Sequence, residues 1–193
     1  ELAEGSGAVG LAVIGPPYFK LDPEAQRRHL EAAAHACAPL PFYVYEFAAT
    51  AGYPFDLEML LRLRETAPNL TGLKVSDTPW EAFERYLIEG LDVFAGPEVL
   101  IHRAREAGAV GAVSALASAF PERVAEVVRN PTAEGAAALG ELRSRIEAFP
   151  RHAATKRVIA ARGVPLGPDV RPPLRDLTPD EAARLAELLA PEL

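Results

Sequence analysis

Lysine is rare in this chain: Lys20, Lys74 and Lys156 stand against seventeen arginines. Where arginine is the default cation, each lysine raises the question of what its amine does. Lys74 lies inside an apolar run, Leu70–Val75 (LTGLKV), between Leu73 and Val75. An exposed lysine is protonated at neutral pH, with roughly one molecule in 2,500 carrying the free amine for a reference pKa near 10.4. Burial lowers that value, and a neutral amine is nucleophilic enough to condense with a carbonyl to an imine. A lysine at a strand end that snorkels into solvent fits the same spacing, so these residues alone leave both readings open. Tyr45, in the preceding run Phe42–Phe47 (FYVYEF), is the natural companion. A phenol donates and accepts protons during imine formation and carbon–carbon cleavage, and a core aromatic is the ordinary alternative. His29, His35, His102 and His152 fall in helical patterns without metal-ligand spacing, so no metal site is expected. The chemistry calls for no cofactor.

These residues need elements to hold them. Val9–Ile14, Phe42–Phe47, Leu70–Val75, Asp92–Ala95 and Ala109–Val113 read as five short strands, apolar and bounded by turn residues. Helical patterns follow each: Asp22-Pro23 to about Cys37, Asp56–Arg64, Pro79–Glu89, Glu98–Ala107 and Pro121–Arg129, the first with an aspartate cap and proline in its first turn. Beyond them, Ala133–Phe149 and His152–Arg162 are helical with Pro150 as breaker, and Thr178-Pro179-Asp180-Glu181 is a capping box opening a last helix. The expected division is 1–130 for the β/α units and 131–193 for a helical region.

Strands alternating with helices, without a two-residue hairpin turn, describe a parallel α/β sheet. A doubly wound sheet wants a glycine-rich phosphate loop after its first strand, but Gly5-Ser6-Gly7 precedes that strand. The TIM barrel, (β/α)8, needs eight units and about 250 residues; strands four to eight, followed by C-terminal helices, fit 193 residues. The chain opens on Glu1 and holds its single methionine at Met59, so its start is expected to be the cut edge of a longer protein. A composition 49% hydrophobic and 24% charged excludes a disordered chain. No run reaches the ~20 apolar residues of a membrane span, and a net charge of −7 argues against nucleic acid. One cysteine, Cys37, excludes an internal disulfide framework, and with no leader in view a reducing cytoplasm is the expected compartment.

In parallel α/β folds, chemistry gathers at the carboxyl ends of the strands. Those ends hold Tyr18, Tyr45-Glu46, Lys74 to Ser76, Glu98 and Ser114-Ala115. In order and spacing, Gly15-Pro16-Pro17-Tyr18-Phe19-Lys20, Leu40 to Glu46, Gly72-Leu73-Lys74, Phe94 to Glu98, Gly108 to Ser114 and Arg171-Pro172-Pro173-Leu174 resemble the pyruvate-dependent class I aldolases of the dihydrodipicolinate synthase / N-acetylneuraminate lyase family. The resemblance implies a Schiff-base lysine at Lys74, a catalytic tyrosine at Tyr45, and a homo-oligomer (dimer or tetramer) in which the Tyr18 loop reaches a neighbouring subunit. It also implies that paired threonines upstream of Glu1 hold the pyruvate carboxylate. Dihydrodipicolinate synthases carry asparagine after the tyrosine and then an arginine for a distal carboxylate, whereas this chain has Glu46 and Thr50 there. Tyr45 to Gly52 is more similar to the loop of 2-keto-3-deoxy-gluconate aldolases. Thr50, Ser76, Glu98, Ala115 and Tyr18 are the expected substrate-binding residues, Glu46 a further charge near the substrate, and pyruvate with a hydroxylated aldehyde the expected partners. A synthase or dehydratase of the same family, and a non-catalytic oligomerising paralogue, remain the alternatives.

Overall fold

The computed structural model describes residues 5–192; Glu1, on which the reading of the chain's start rests, lies outside them. The chain divides between Val113 and Ser114 into two compact units. The first contains β1 (Leu11–Ile14), α1 (Pro23–Cys37), β2 (Phe42–Glu46), α2 (Ala48–Ala51), α3 (Leu57–Thr66), β3 (Leu70–Val75), α4 (Trp80–Glu84), β4 (Asp92–Ala95), a 3-10 turn (Glu98–Leu100), α5 (Ile101–Glu106) and β5 (Gly111–Ala112). All neighbouring strands pair in parallel, and their spatial order is their chain order. A doubly wound sheet reverses its strand order at a switch point. This one never does, so it is the barrel arrangement, five successive units of it.

Strand alternation sorts the side chains onto two faces. Phe42, Val44, Leu73, Val75, Val93 and Ala95 are buried, on the side covered by Leu30 and Ala34 of α1, Leu60 and Leu63 of α3, and Ile101 and Ala104 of α5. On the other face the register aligns Ile14, Tyr45, Lys74, Phe94 and Gly111 in one row near the carboxyl ends. Tyr45, Lys74 and Phe94 of that row are half-buried. The caps read from the sequence are in place: Asp22 accepts from Ala25 N, and Asp56 from Met59 N, both at 2.8 Å.

Three helices depart from expectation. The helix expected over Pro79–Glu89 stops after Glu84, where the chain turns so that the Tyr86 hydroxyl donates to the buried Phe55 carbonyl at 2.9 Å. Glu98–Ala107 begins as a 3-10 turn, and α2 was not expected. The fifth strand shrinks to Gly111–Ala112.

The second unit is helical: a 3-10 turn (Leu116–Ser118), then α6 (Pro121–Arg129), α7 (Ala133–Glu147), α8 (Arg151–Ala161), α9 (Pro179–Leu189) and a closing 3-10 turn (Ala190–Glu192). Helix α6 packs on the preceding 3-10 turn and on α7. The compact grouping therefore puts α6 with the helices that follow it, where the sequence boundary at 130 assigns it to the strands. Phe120, Val124, Leu139, Leu142, Ile146 and Leu185 form this unit's core. Glu192 makes ion pairs with Arg123 of α6 and Arg145 of α7, and Thr178 and Glu181 complete the capping box of α9. No helix among the described residues is long and apolar enough to cross a membrane, and none of their histidine, cysteine, aspartate and glutamate groupings could hold a metal ion.

Candidate active site

Lys74 is half-buried on β3, directly across the ladder from Tyr45 on β2. Its Nζ donates to Ser76 Oγ and lies 3.7 Å from the centroid of the Tyr45 ring. Phe47 stacks on Tyr45, with ring centroids 6.0 Å apart and planes at 17°, and its own centroid is 5.8 Å from Nζ. The amine thus sits beside a hydroxyl and two aromatic rings. Parallel register produces this arrangement, since residues one step from the ends of β2 and β3 stand side by side.

Two glycines allow β3 and β4 to approach closely beside this pair. A Cβ on Gly72 would overlap the Asp92 carbonyl oxygen of β4 and lie 2.8 Å from its carbon. A Cβ on Gly96 would overlap Ser76 Oγ and lie 2.9 Å from the Val75 carbonyl oxygen. Gly96 therefore leaves room for the hydroxyl that Lys74 bonds, and its own N–H donates to Val75 O at 2.7 Å.

Glu46 corrects an expectation. Placed one residue beyond Tyr45, it faces the opposite side of the sheet and is fully buried, so it is not a charge beside Lys74. Its Oε2 accepts from Phe55 N at 2.7 Å, while Oε1 has no hydrogen-bond partner. Burial above all, with the Asp77 carboxyl beside it, pushes the Glu46 carboxyl up to about 8, against the pull of the Phe55 N–H. Asp77, also buried, accepts from Ala48 N at 2.9 Å and so holds the start of α2.

The remaining expected residues scatter. Thr50 is exposed on α2, and Glu98 is 2% exposed within its 3-10 turn. Tyr18 is 91% exposed, edge-on to Phe19 at 4.7 Å, and has φ 92, a left-handed backbone that a bulky side chain rarely adopts. Ala115 belongs to the second unit, where it is exposed and borders a small hollow lined by Arg143 and Glu147. Between the β2–α3 and β3–α4 loops runs a cleft of about 330 Å³ lined by Phe47, Ser76, Asp77, Thr78, Arg85 and Tyr86. Sequence reasoning sought a cation only within Ala48–Gly52 and missed Arg85, which the chain turn after α4 delivers from elsewhere. It also missed Asp77, whereas Phe47, two residues after Tyr45, has the spacing that repeats a face on an extended strand.

A model of the dihydrodipicolinate synthetase family matches residues 1–191. The chain belongs to that family. It is 33% identical to a DapA-like lyase of Halobacterium salinarum over 98% of this chain and 64% of the relative's length. It is 32% identical to the 4-hydroxy-tetrahydrodipicolinate synthase of Thermus thermophilus, over 97% of the chain and 66% of that protein. Among solved structures, it superposes on YagE, a dihydrodipicolinic acid synthase family protein of Escherichia coli K12 in complex with pyruvate, with a TM-score of 0.85 at 22% identity, covering 98% of this chain and 68% of YagE. That likeness shows the fold, part of a TIM barrel followed by C-terminal helices. Relative to the haloarchaeal lyase, this dihydrodipicolinate synthetase family chain spans 64% of the length.

Proposed function

We propose that the protein is a lysine Schiff-base aldolase that joins pyruvate to an aldehyde, or cleaves the product, with this chain supplying the amine and the proton shuttle. The observation that carries the reading is the pairing of Lys74 with Tyr45 and Ser76 at the carboxyl end of adjacent parallel strands. The neutral amine of Lys74 attacks the ketone carbon of pyruvate. The resulting carbinolamine loses its oxygen as water and leaves an iminium, an electron sink conjugated to the methyl group. Loss of a methyl proton gives an enamine, whose carbon attacks the aldehyde carbonyl; the new alkoxide takes a proton, and water releases the lysine. The Tyr45 hydroxyl is the group assigned to those proton transfers. Phe47 and Ser76 hold the ring and the amine in register.

The aldehyde partner is proposed to be hydroxylated, a 2-keto-3-deoxy sugar acid being the product, because residues 48–52 contain no cation to take a second carboxylate. Arg85 on the cleft beside Ser76 favours a second reading, an acidic aldehyde. Tyr18, exposed with a strained backbone, supports a homo-oligomer in which its loop meets a second copy. A reducing cytoplasm suits the free thiol of Cys37 in this chain. A competition assay of the full-length protein with pyruvate plus glyceraldehyde or aspartate semialdehyde tests the substrate. Higher kcat/KM with glyceraldehyde supports the first reading, and higher kcat/KM with aspartate semialdehyde overturns it in favour of the second.

A further inference from the structure

Behind the Lys74 row two buried carboxyl groups are neighbours, Glu46 on the helix-covered face of β2 and Asp77 just beyond the end of β3. Glu46 is fully buried and Asp77 is 9% exposed. Among the described residues neither makes an ion pair, and each already holds one backbone N–H: Glu46 Oε2 that of Phe55, Asp77 Oδ1 that of Ala48. Glu46 Oε1 is left without a donor. A buried carboxylate oxygen without a partner is costly, and two adjacent ionised carboxylates more so. One proton placed between them removes both penalties, since a protonated carboxyl becomes a donor to its neighbour.

We propose that Glu46 and Asp77 are positioning residues that share one proton and thereby lock the β2–α3 loop to the β3–α4 loop. The inference rests on the aldolase reading, because what the lock holds is the Phe47–Tyr45 stack against Lys74. The ends of the same strands are already tied by Ser76 N donating to Glu46 O at 2.9 Å. The carboxyl pair extends that tie to Ala48 and Phe55 on either side of the loop carrying Thr50. The other titratable groups acting on Glu46 are Tyr86, beyond α4, and Tyr53, in the β2–α3 loop. Burial holds both phenols above their ordinary value, so the Glu46 carboxyl gives up its proton before them. Arg85 lines the cleft alongside and pulls Tyr86 in the opposite direction. As pH rises through about 8 the shared proton leaves, the two negative charges repel, and the loop loosens.

The test measures pyruvate trapping at Lys74 by borohydride in the full-length protein between pH 6 and 9.5, in wild type and Glu46→Gln. Glutamine keeps an oxygen for Phe55 N–H and donates its amide to Asp77 without titrating. Glu46→Gln is expected to match wild type at pH 7 and to exceed it at least tenfold at pH 9.5, whereas Glu46→Leu, which cannot bridge, loses tenfold at pH 7. Exchange protection of the Phe55 and Ala48 amides is followed in parallel and corrected for intrinsic rates. It falls tenfold or more in wild type as pH rises toward 8, is flat above that, and holds in Glu46→Gln. Parallel pH profiles and parallel protection in the two proteins overturn the proposal. Absent trapping in wild type at every pH refutes the aldolase reading instead, and the amide protection then still decides whether the pair locks the loop.

Discussion

Replacing Gly72 with alanine separates backbone geometry from side-chain chemistry at the centre of the site. The added Cβ would lie 2.8 Å from the Asp92 carbonyl carbon and 2.9 Å from Asp92 Cβ, with the carbonyl oxygen nearer still. Carbon atoms in ordinary contact are about 3.5–4.0 Å apart, so β3 and β4 must separate by about 1 Å. The obstacle is main chain, which cannot rotate away as a side chain can. Opening by 1 Å stretches the ladder bonds around the Gly72–Asp92 and Leu73–Val93 pairs beyond useful length, at about 1 kcal/mol each. Overpacking adds about 1–3 kcal/mol. The expected loss is about 3–5 kcal/mol in urea unfolding of the full-length protein, with reduced pyruvate trapping in whatever remains folded. Gly111→Ala is the control: its Cβ meets only the edge of the Phe94 ring at 3.3 Å and should cost under about 1 kcal/mol. A Gly72→Ala protein within 1 kcal/mol of wild type would refute the reasoning, because β3 and β4 would then tolerate the separation that the contact demands.

Three further outcomes follow. Folded Glu46 keeps its proton to about pH 8 while the unfolded chain gives it up near 4.5, so stability attributable to this group falls as pH rises from about 4.5 to 8 and is flat above. At ~1.4 kcal/mol per pH unit the fall is at most about 5 kcal/mol. Glu46→Gln should therefore gain on wild type across that window in urea titrations, and a constant difference would contradict the shift. Tyr45→Phe keeps the ring stacked on Phe47 and removes only the hydroxyl; kcat should drop by roughly 10²–10⁴ with unchanged circular dichroism, and near-normal turnover would remove Tyr45 from the chemistry. Arg85→Ala should leave the KM for pyruvate unchanged; a rise of tenfold or more in the KM for aspartate semialdehyde would support the acidic-aldehyde reading, and no rise would dismiss it.

Much of the fold is written locally in the chain. Asp22-Pro23, Asp56 and the Thr178/Glu181 box mark helix starts that the structure reproduces, and Leu70–Val75 and Asp92–Ala95 are strands with the bounds read from the sequence. What local signals do not carry is register. That Ile14, Tyr45, Lys74 and Phe94 form one row depends on pairings across the sheet, and so does the approach that makes Gly72 and Gly96 necessary. The error over Glu46 was avoidable, because adjacent strand residues face opposite sides and Tyr45 could not share a face with it. Arg85 and Asp77 had no such signal. Their positions follow from where the chain turns after β3 and α4, turns tied by Asp77 to Ala48 N and by the Tyr86 hydroxyl to the Phe55 carbonyl.

The central claim is that Lys74 carries the covalent intermediate, and reduction of the trapped imine tests it most directly. Full-length protein incubated with pyruvate and borohydride should gain one reduced pyruvyl group per chain, found at Lys74 by peptide mass mapping and absent in Lys74→Ala. Label at Lys20, Lys156 or another lysine, or undiminished label in the Lys74→Ala protein, would contradict the account.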